Sequence, residues 1–214
     1  MNKKYFSEIF EFLKVAEKLK TELRHSWTSN SGRQESVAEH TWMMALLAIL
    51  LTDKLDTSID RVKVLKMVII HDLVEAIAGD VPAHELSKRK DNQHINEKAA
   101  MKKLSLILRD KIGKDILHLW EEFEKWKTPE AKFVRALDKF EVILQHNVAG
   151  VKTWDEGDFR YTLNDIQDNP FNFSSFMRKL KDYLDDRTYE IVERTNTTSQ
   201  VPKENLKRYK SRKR

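Results

Sequence analysis

An imidazole and a carboxylate stand side by side at His71 and Asp72, near the end of an otherwise apolar helical stretch, 62–78, where packing requires neither. At helical spacing, Met67 and Val68 lie one turn before His71, and Val68 and Ala76 lie one turn either side of Asp72. Both polar groups therefore point into apolar surroundings. A carboxylate buried without a partner costs several kcal/mol or takes up a proton. A divalent cation holds it ionised and uses the imidazole as a second ligand. The alternative is a histidine donating to its neighbour inside a satisfied core, and other residues must decide between the two.

Three more residue patterns bear on that choice. Ser36-x-x-Glu39 is a capping box followed by the apolar run 42–51, which puts His40 in the first turn of a helix. Its helical neighbours Val37, Met43, Met44 and Leu47 place it on the inward face. Thr128-Pro129-Glu130 starts another helix, which Gly150 ends, and Asp138 lies in its middle between Val134 and Val142. His40, His71, Asp72 and Asp138 thus form an N2O2 set drawn from three helices. Such a set suits Mn, Co or Mg, with Fe or Zn also accommodated, rather than a thiolate metal. Glu75 follows His71 by one turn on the same face, within reach of a metal-bound water or a leaving group.

The elements that must position these groups read as all-α, a bundle of about seven helices. The first spans about 3–23, with Phe6, Ile9, Phe10, Leu13, Ala16 and Leu19 on one face, and a polar loop covers 24–35. The His40 helix follows. The next opens at Thr57-x-x-Asp60, carries His71-Asp72 and closes at Gly79. Helices over 91–109, 116–126 and 129–150 come next, then a long surface loop over 151–173 and a last helix from 174 to 194. The expected organisation is one helical domain over 1–194 with its metal-binding core at about 36–150, and a flexible basic tail over 195–214.

Composition sets limits on function. With 40% hydrophobic residues and only 5 Gly and 4 Pro in 214 residues, the chain has the material for a real core built from long helices. The absence of cysteine removes disulfides, thiolate nucleophiles and Cys-ligated zinc, and fits a cytoplasmic protein. No apolar run is long enough for a membrane span, and the amino terminus carries no secretory core. The formal charge of +5 sits in the tail: residues 203–214 hold seven basic residues against Glu204, leaving the body near neutral. No Gly-rich or aromatic-interleaved motif accompanies that run, so nucleic acid is not its expected partner.

The order His40, His71-Asp72, Asp138 on helices resembles the HD-domain metal-dependent phosphohydrolases. The blocks Glu35-Ser-Val-Ala-Glu-His40, His71-Asp-Leu-Val-Glu-Ala-Ile-Ala-Gly-Asp80 and Ala131-Lys-Phe-Val-Arg-Ala-Leu-Asp-Lys139 look like their 5′-deoxynucleotidase branch, over about residues 5–150. The resemblance implies an HD-type bundle, a deoxynucleoside 5′-monophosphate as substrate, a catalytic role for Glu75 and a homodimer. It also implies that Asp80 contacts substrate or a second metal, and that Arg24 and Trp27 hold the phosphate and pack against the sugar. In the bacterial branch that Arg and Trp are adjacent, whereas two residues separate them here. Two alternatives stand beside this reading: another nucleotide as substrate, and a catalytically weak helical protein that binds nucleotides or nucleic acid.

Overall fold

The computed structural model describes residues 3–29, 32–109, 111–163 and 165–212. Helix α1 (Lys3–Ala16) and a 3-10 turn lead into a short hairpin, β1 (Leu23–Trp27) and β2 (Gln34–Ser36), then α2 (Val37–Leu51) and α3 (Arg61–Ile70). Two four-residue helices, α4 (Glu75–Ala78) and α5 (Lys88–Asp91), precede α6 (Gln93–Ile107), α7 (Lys111–Lys125) and the long α8 (Pro129–Ala149). Then come α9 (Glu156–Thr162), a 3-10 stretch at Asp165–Phe173, α10 (Ser175–Arg194) and α11 (Lys203–Arg212). The fold is all-α apart from the hairpin.

Two helix starts follow from their caps. The Ser36 hydroxyl accepts the Glu39 N–H, and the Glu39 carboxylate accepts the Ser36 N–H at 2.9 Å, which fixes the entry to α2 and so the place of His40. In α8, Thr128 caps the Ala131 N–H, Pro129 occupies the first helical position, and Gly150 at φ +86° ends the helix. α8 is the spine of the molecule. Its Phe133, Val134, Leu137 and Ile143 are fully buried against Met44 of α2, Met67 and Val68 of α3, and Phe171. Each such side chain stabilises the fold by about 1.5 to 3 kcal/mol. A second cluster joins Leu19, Val37, Leu73 and Val74 to Met101 and Leu104 of α6 and Trp120 of α7.

Five regions differ from the sequence-based expectation. Residues 24–35 are not wholly loop: β1 and β2 pair antiparallel, with Leu23 opposite Ser36 and Trp27 opposite Gln34. The helix expected to run to Gly79 is capped by Asp60 rather than Thr57 and gives way after Ile70. There the His71 ring donates to the Val68 carbonyl at 2.7 Å, competing for the acceptor that the Asp72 N–H would use in a continued helix. The backbone tightens to i→i−3 bonds from Leu73 to Ile70 and from Glu75 to Asp72. The expected surface loop over 151–173 instead folds as α9 and 3-10 turns, because Trp154, Phe159 and Phe171 have apolar surfaces to bury. On α1, Phe12, Val15 and Ala16 pack inward, whereas Phe6, Phe10 and Leu13 are exposed.

The basic tail is the fifth correction. Its residues through 212 do not trail from the domain: α11 lays Tyr209 on Tyr189 of α10 with ring centroids 3.8 Å apart, and Val201 and Asn205 are buried. The Tyr189 hydroxyl donates to the Asn205 carbonyl at 2.6 Å. Seven cations hide a short apolar stripe, Leu206 and Tyr209 at i, i+3, that docks on α9 and α10. Lys213 and Arg214 lie outside the described residues. Among the described residues, no helix is long and apolar enough to cross a membrane.

A docked tail has a measurable consequence. Tyr209→Ala should cost roughly 2 to 4 kcal/mol in urea unfolding, as removal of a buried aromatic does. A loss under about 0.5 kcal/mol, the usual size for a surface position, would return the tail to a disordered appendage.

Candidate metal centre

Three elements converge at the inner end of a cavity of about 400 Å³. α2 supplies His40, the tightened turn after α3 supplies His71 and Asp72, and α8 supplies Asp138. The His71 Nε2 stands 3.0 Å from Asp72 Oδ2, and His40 Nε2 lies 3.7 Å from the same oxygen and 3.5 Å from Asp138 Oδ1. Ligand atoms of His40, His71 and Asp72 all fall within 4.8 Å of one another. Both rings are buried, His40 completely.

The opposite ring nitrogens are already committed. His40 Nδ1 pairs with Glu141 Oε2 at 2.5 Å, and His71 Nδ1 with the Val68 carbonyl at 2.7 Å. A carboxylate or carbonyl on Nδ1 fixes the tautomer that leaves Nε2 as a lone-pair donor, as it does at metal-binding histidines generally. Neither buried Nε2 makes a well-formed hydrogen bond, although each faces a carboxylate oxygen, His71 at 3.0 Å and His40 at 3.5 Å. Two orphaned imidazole nitrogens facing two carboxylates fit a divalent cation, and a fully satisfied core would not leave them so.

The electrostatics carry the same demand. Six carboxyl groups, Glu35, Asp72, Glu75, Asp80, Asp138 and Glu141, crowd around the two imidazoles, the guanidinium of Arg24 and the ammonium of Lys139. Burial would raise Asp72 and Asp138, yet their cationic neighbours hold both below the ordinary carboxylate range: His71, Arg24 and His40 for Asp72, and Lys139 and His40 for Asp138. Glu75 goes the other way, pushed well up by burial and by repulsion from Asp72 and Asp80. Glu35 is pushed up to about 7 by burial and Glu141. Burial and Arg24 oppose the charged form of His40, but Glu141 and Asp138 prevail and raise it to about 9. Asp72 and Asp138 are thus held ionised where two imidazole nitrogens face them, an anionic N2O2 seat that suits a divalent cation.

The other expected site residues divide. Glu75 is buried beside the cluster with Oε2 unpaired. Asp80, past Gly79, lines the cavity 3.8 Å from Arg24 Nη1, which also lies 3.2 Å from Asp72 Oδ2. Trp27 is not among the residues lining that cavity; its carbonyl is held by Gln145 at 2.6 Å, and it is His25, next to Arg24, that lines the wall. Arg33, a further basic residue before His40 that could have met phosphate, is exposed and forked onto Glu39. Sequence reasoning missed Glu141, although its spacing of three from Asp138 puts it on the same inward stripe. It also missed Glu35 and Lys139, which only the hairpin and the packing of α8 bring to the site.

The HD domain family matches residues 16–171, most of the chain, including every residue of this cluster. The chain belongs to the HD domain family. This HD domain is 37% identical over 145 residues to the 5′-deoxynucleotidase HDDC2 of Dictyostelium discoideum, covering 65% of this chain and 76% of that protein. It is 34% identical over 139 residues to the human HDDC2, covering 64% and 66% of the two chains. Among solved structures, a predicted metal-dependent phosphohydrolase from Magnetospirillum magnetotacticum superposes with a TM-score of 0.78 at 27% identity, covering 92% of this chain and 96% of that one.

The His40–Glu141 contact gives the sharpest test of the HD site. Glu141→Gln keeps the size and an acceptor oxygen but removes the charge behind the imidazole, so it should weaken cation affinity about 10- to 100-fold in a competition titration. Unchanged affinity would mean that His40 is no ligand.

Proposed function

We propose that the protein is a metal-dependent phosphomonoesterase that removes the 5′-phosphate from deoxynucleoside 5′-monophosphates. The observation that carries this reading is the pair of orphaned Nε2 atoms facing Asp72 and Asp138 beside a buried, unpaired Glu75 carboxyl. The likeness to relatives named 5′-deoxynucleotidase supports the choice of substrate. In this reading His40, His71, Asp72 and Asp138 hold the cation. Bound there, a divalent cation supplies Lewis acidity toward the phosphoryl oxygen and lowers the pKa of a bound water. Mn, Co or Mg is the proposed ion.

The chain's own groups divide the remaining work. Glu75 moves the proton: burial and its acidic neighbours favour its neutral form, which suits donation to the leaving 5′-oxygen. Arg24 binds phosphate with a planar fork that rests among Asp72, Asp80 and Glu35, so its orientation is set before substrate arrives. Asp80 orients Arg24 and faces the substrate space. The reading includes a homodimer, for which exposed Trp42, Ile49 and Leu50 on α2 and Ile69 on α3 offer apolar surface. It also places the cysteine-free chain in the cytoplasm.

Phosphate release from a panel of deoxy, ribo and cyclic nucleotides, with Mn, Co and Mg added back after chelation, tests the reading. The deoxynucleoside 5′-monophosphates should turn over fastest, and preferred cleavage of a cyclic or ribonucleotide would overturn the substrate assignment. Glu75→Gln should lose about 10²- to 10⁴-fold in rate while keeping its metal, and wild-type turnover would leave Glu75 a bystander. Arg24→Ala should lose about 1.5 to 3 kcal/mol in kcat/KM on deoxy and ribo substrates alike. Because Trp27 stands outside the cavity wall, Trp27→Ala should leave the deoxy-to-ribo ratio as it was; a shift toward ribonucleotides would return the indole to the sugar.

A further inference from the structure

A second cluster of metal-binding side chains sits on the cavity wall, away from the His40 group. His25 comes from β1, His84 from the segment after Asp80, and Asp155 and Asp158 from the start of α9. The His25 Nε2 lies 3.1 Å from Asp158 Oδ2 and 3.5 Å from Asp155 Oδ2. His84 Nε2 lies 3.6 Å from Asp155 Oδ2, and its Nδ1 lies 3.9 Å from Asp158 Oδ1. One donor atom from each of the four residues falls within 4.8 Å of the others. The two rings meet edge-on with centroids 4.7 Å apart.

Hydrogen bonding within the cluster does not account for all of it. Asp158 is 2% exposed, and its Oδ2 accepts the Asp155 N–H in the capping box that starts α9. Its Oδ1 is buried without a hydrogen-bond partner, although His84 and His146 each present a ring nitrogen at 3.6 to 3.9 Å. A histidine–aspartate network built only for structure would satisfy that atom, since leaving a buried acceptor unpaired costs about 1 to 3 kcal/mol. The backbone also makes room for the second imidazole: a Cβ on Gly157 would stand 2.4 Å from the His84 ring. Asp155 is half exposed, so the cluster is open to solvent on one side and a cation has a way in.

We propose that His25, His84, Asp155 and Asp158 form a second divalent-metal site, with an N2O2 donor set that favours an imidazole-binding transition ion such as Co²⁺ or Zn²⁺ over Mg²⁺. The site ties β1, the segment after Asp80 and α9 together, and so fastens the two stretches of chain that carry Arg24 and Asp80. It is independent of the identity of the substrate.

Co²⁺ binding to the metal-stripped full chain tests this, with content measured by elemental analysis after equilibrium dialysis. Asp155→Asn keeps a good helix cap and a half-exposed position, so it folds as wild type does. Both Asp155→Asn and His84→Ala should bind one Co²⁺ per chain fewer than wild type, whereas His71→Asn should retain the ion that those variants lose. With Asp155→Asn, the Co²⁺-dependent rise in melting temperature should also shrink. Wild-type Co²⁺ content in both variants would overturn the site. So would a His71→Asn chain that binds none, because every ion would then belong to the His40 group.

Discussion

Everything around the cavity answers to one constraint: carboxylates taken out of water need positive charge close by. Asp138 is buried and Asp72 half-buried at the meeting point of α2, α8 and the turn after α3, and an ion-sized carboxylate loses several kcal/mol of hydration on full burial. Arg24 and Lys139 return part of that. The His40–Glu141 contact explains the rest of the design. An imidazole whose far nitrogen is held by a carboxylate presents its near nitrogen as a strong donor, which in the proposed site faces the cation.

The fold reads as the scaffold for that arrangement. α8 alone contributes the buried Asp138, Glu141, Gln145 and His146 and the half-buried Lys139, and is gripped along its length by α2, α3, α7 and α10. Its rigidity holds the carboxylates. The turn after α3 does a different job: where regular helix ends at His71, the tightened turns set His71, Asp72 and Glu75 on the wall of one cavity. The hairpin then brings Arg24 across the open side, 48 residues before its partner Asp72.

Much of this was legible in the sequence, for identifiable reasons. Capping chemistry is local, so Ser36 and Thr128 announced their helices correctly. Polar groups on apolar stripes are also local signals, and they picked out His40, His71, Asp72 and Asp138 before any fold was known. The hairpin escaped because Leu23–Trp27 has no apolar alternation: β1 is held by pairing and by Gln145 rather than by a buried face. The helix break at His71 depends on a side-chain bond to the Val68 carbonyl that spacing does not reveal. The tail was misjudged because charge count outweighs a two-residue apolar stripe in any compositional reading. Trp27 was expected in the site through a resemblance in wording, whereas Arg24, His25 and Ser26 line the cavity and Trp27 does not.

That a cation completes the group of His40, His71, Asp72 and Asp138 is tested most directly by thermal unfolding with and without that cation. The Asp155→Asn chain is the right background, since the cavity-wall cluster then takes no part. At a Mn²⁺ concentration about 100 times its Kd, binding adds about 2.7 kcal/mol, a rise in Tm of roughly 5 to 10 °C for a chain of this size. The same Mn²⁺ should leave His71→Asn nearly unmoved. Equal melting temperatures for the stripped and loaded protein would contradict the account.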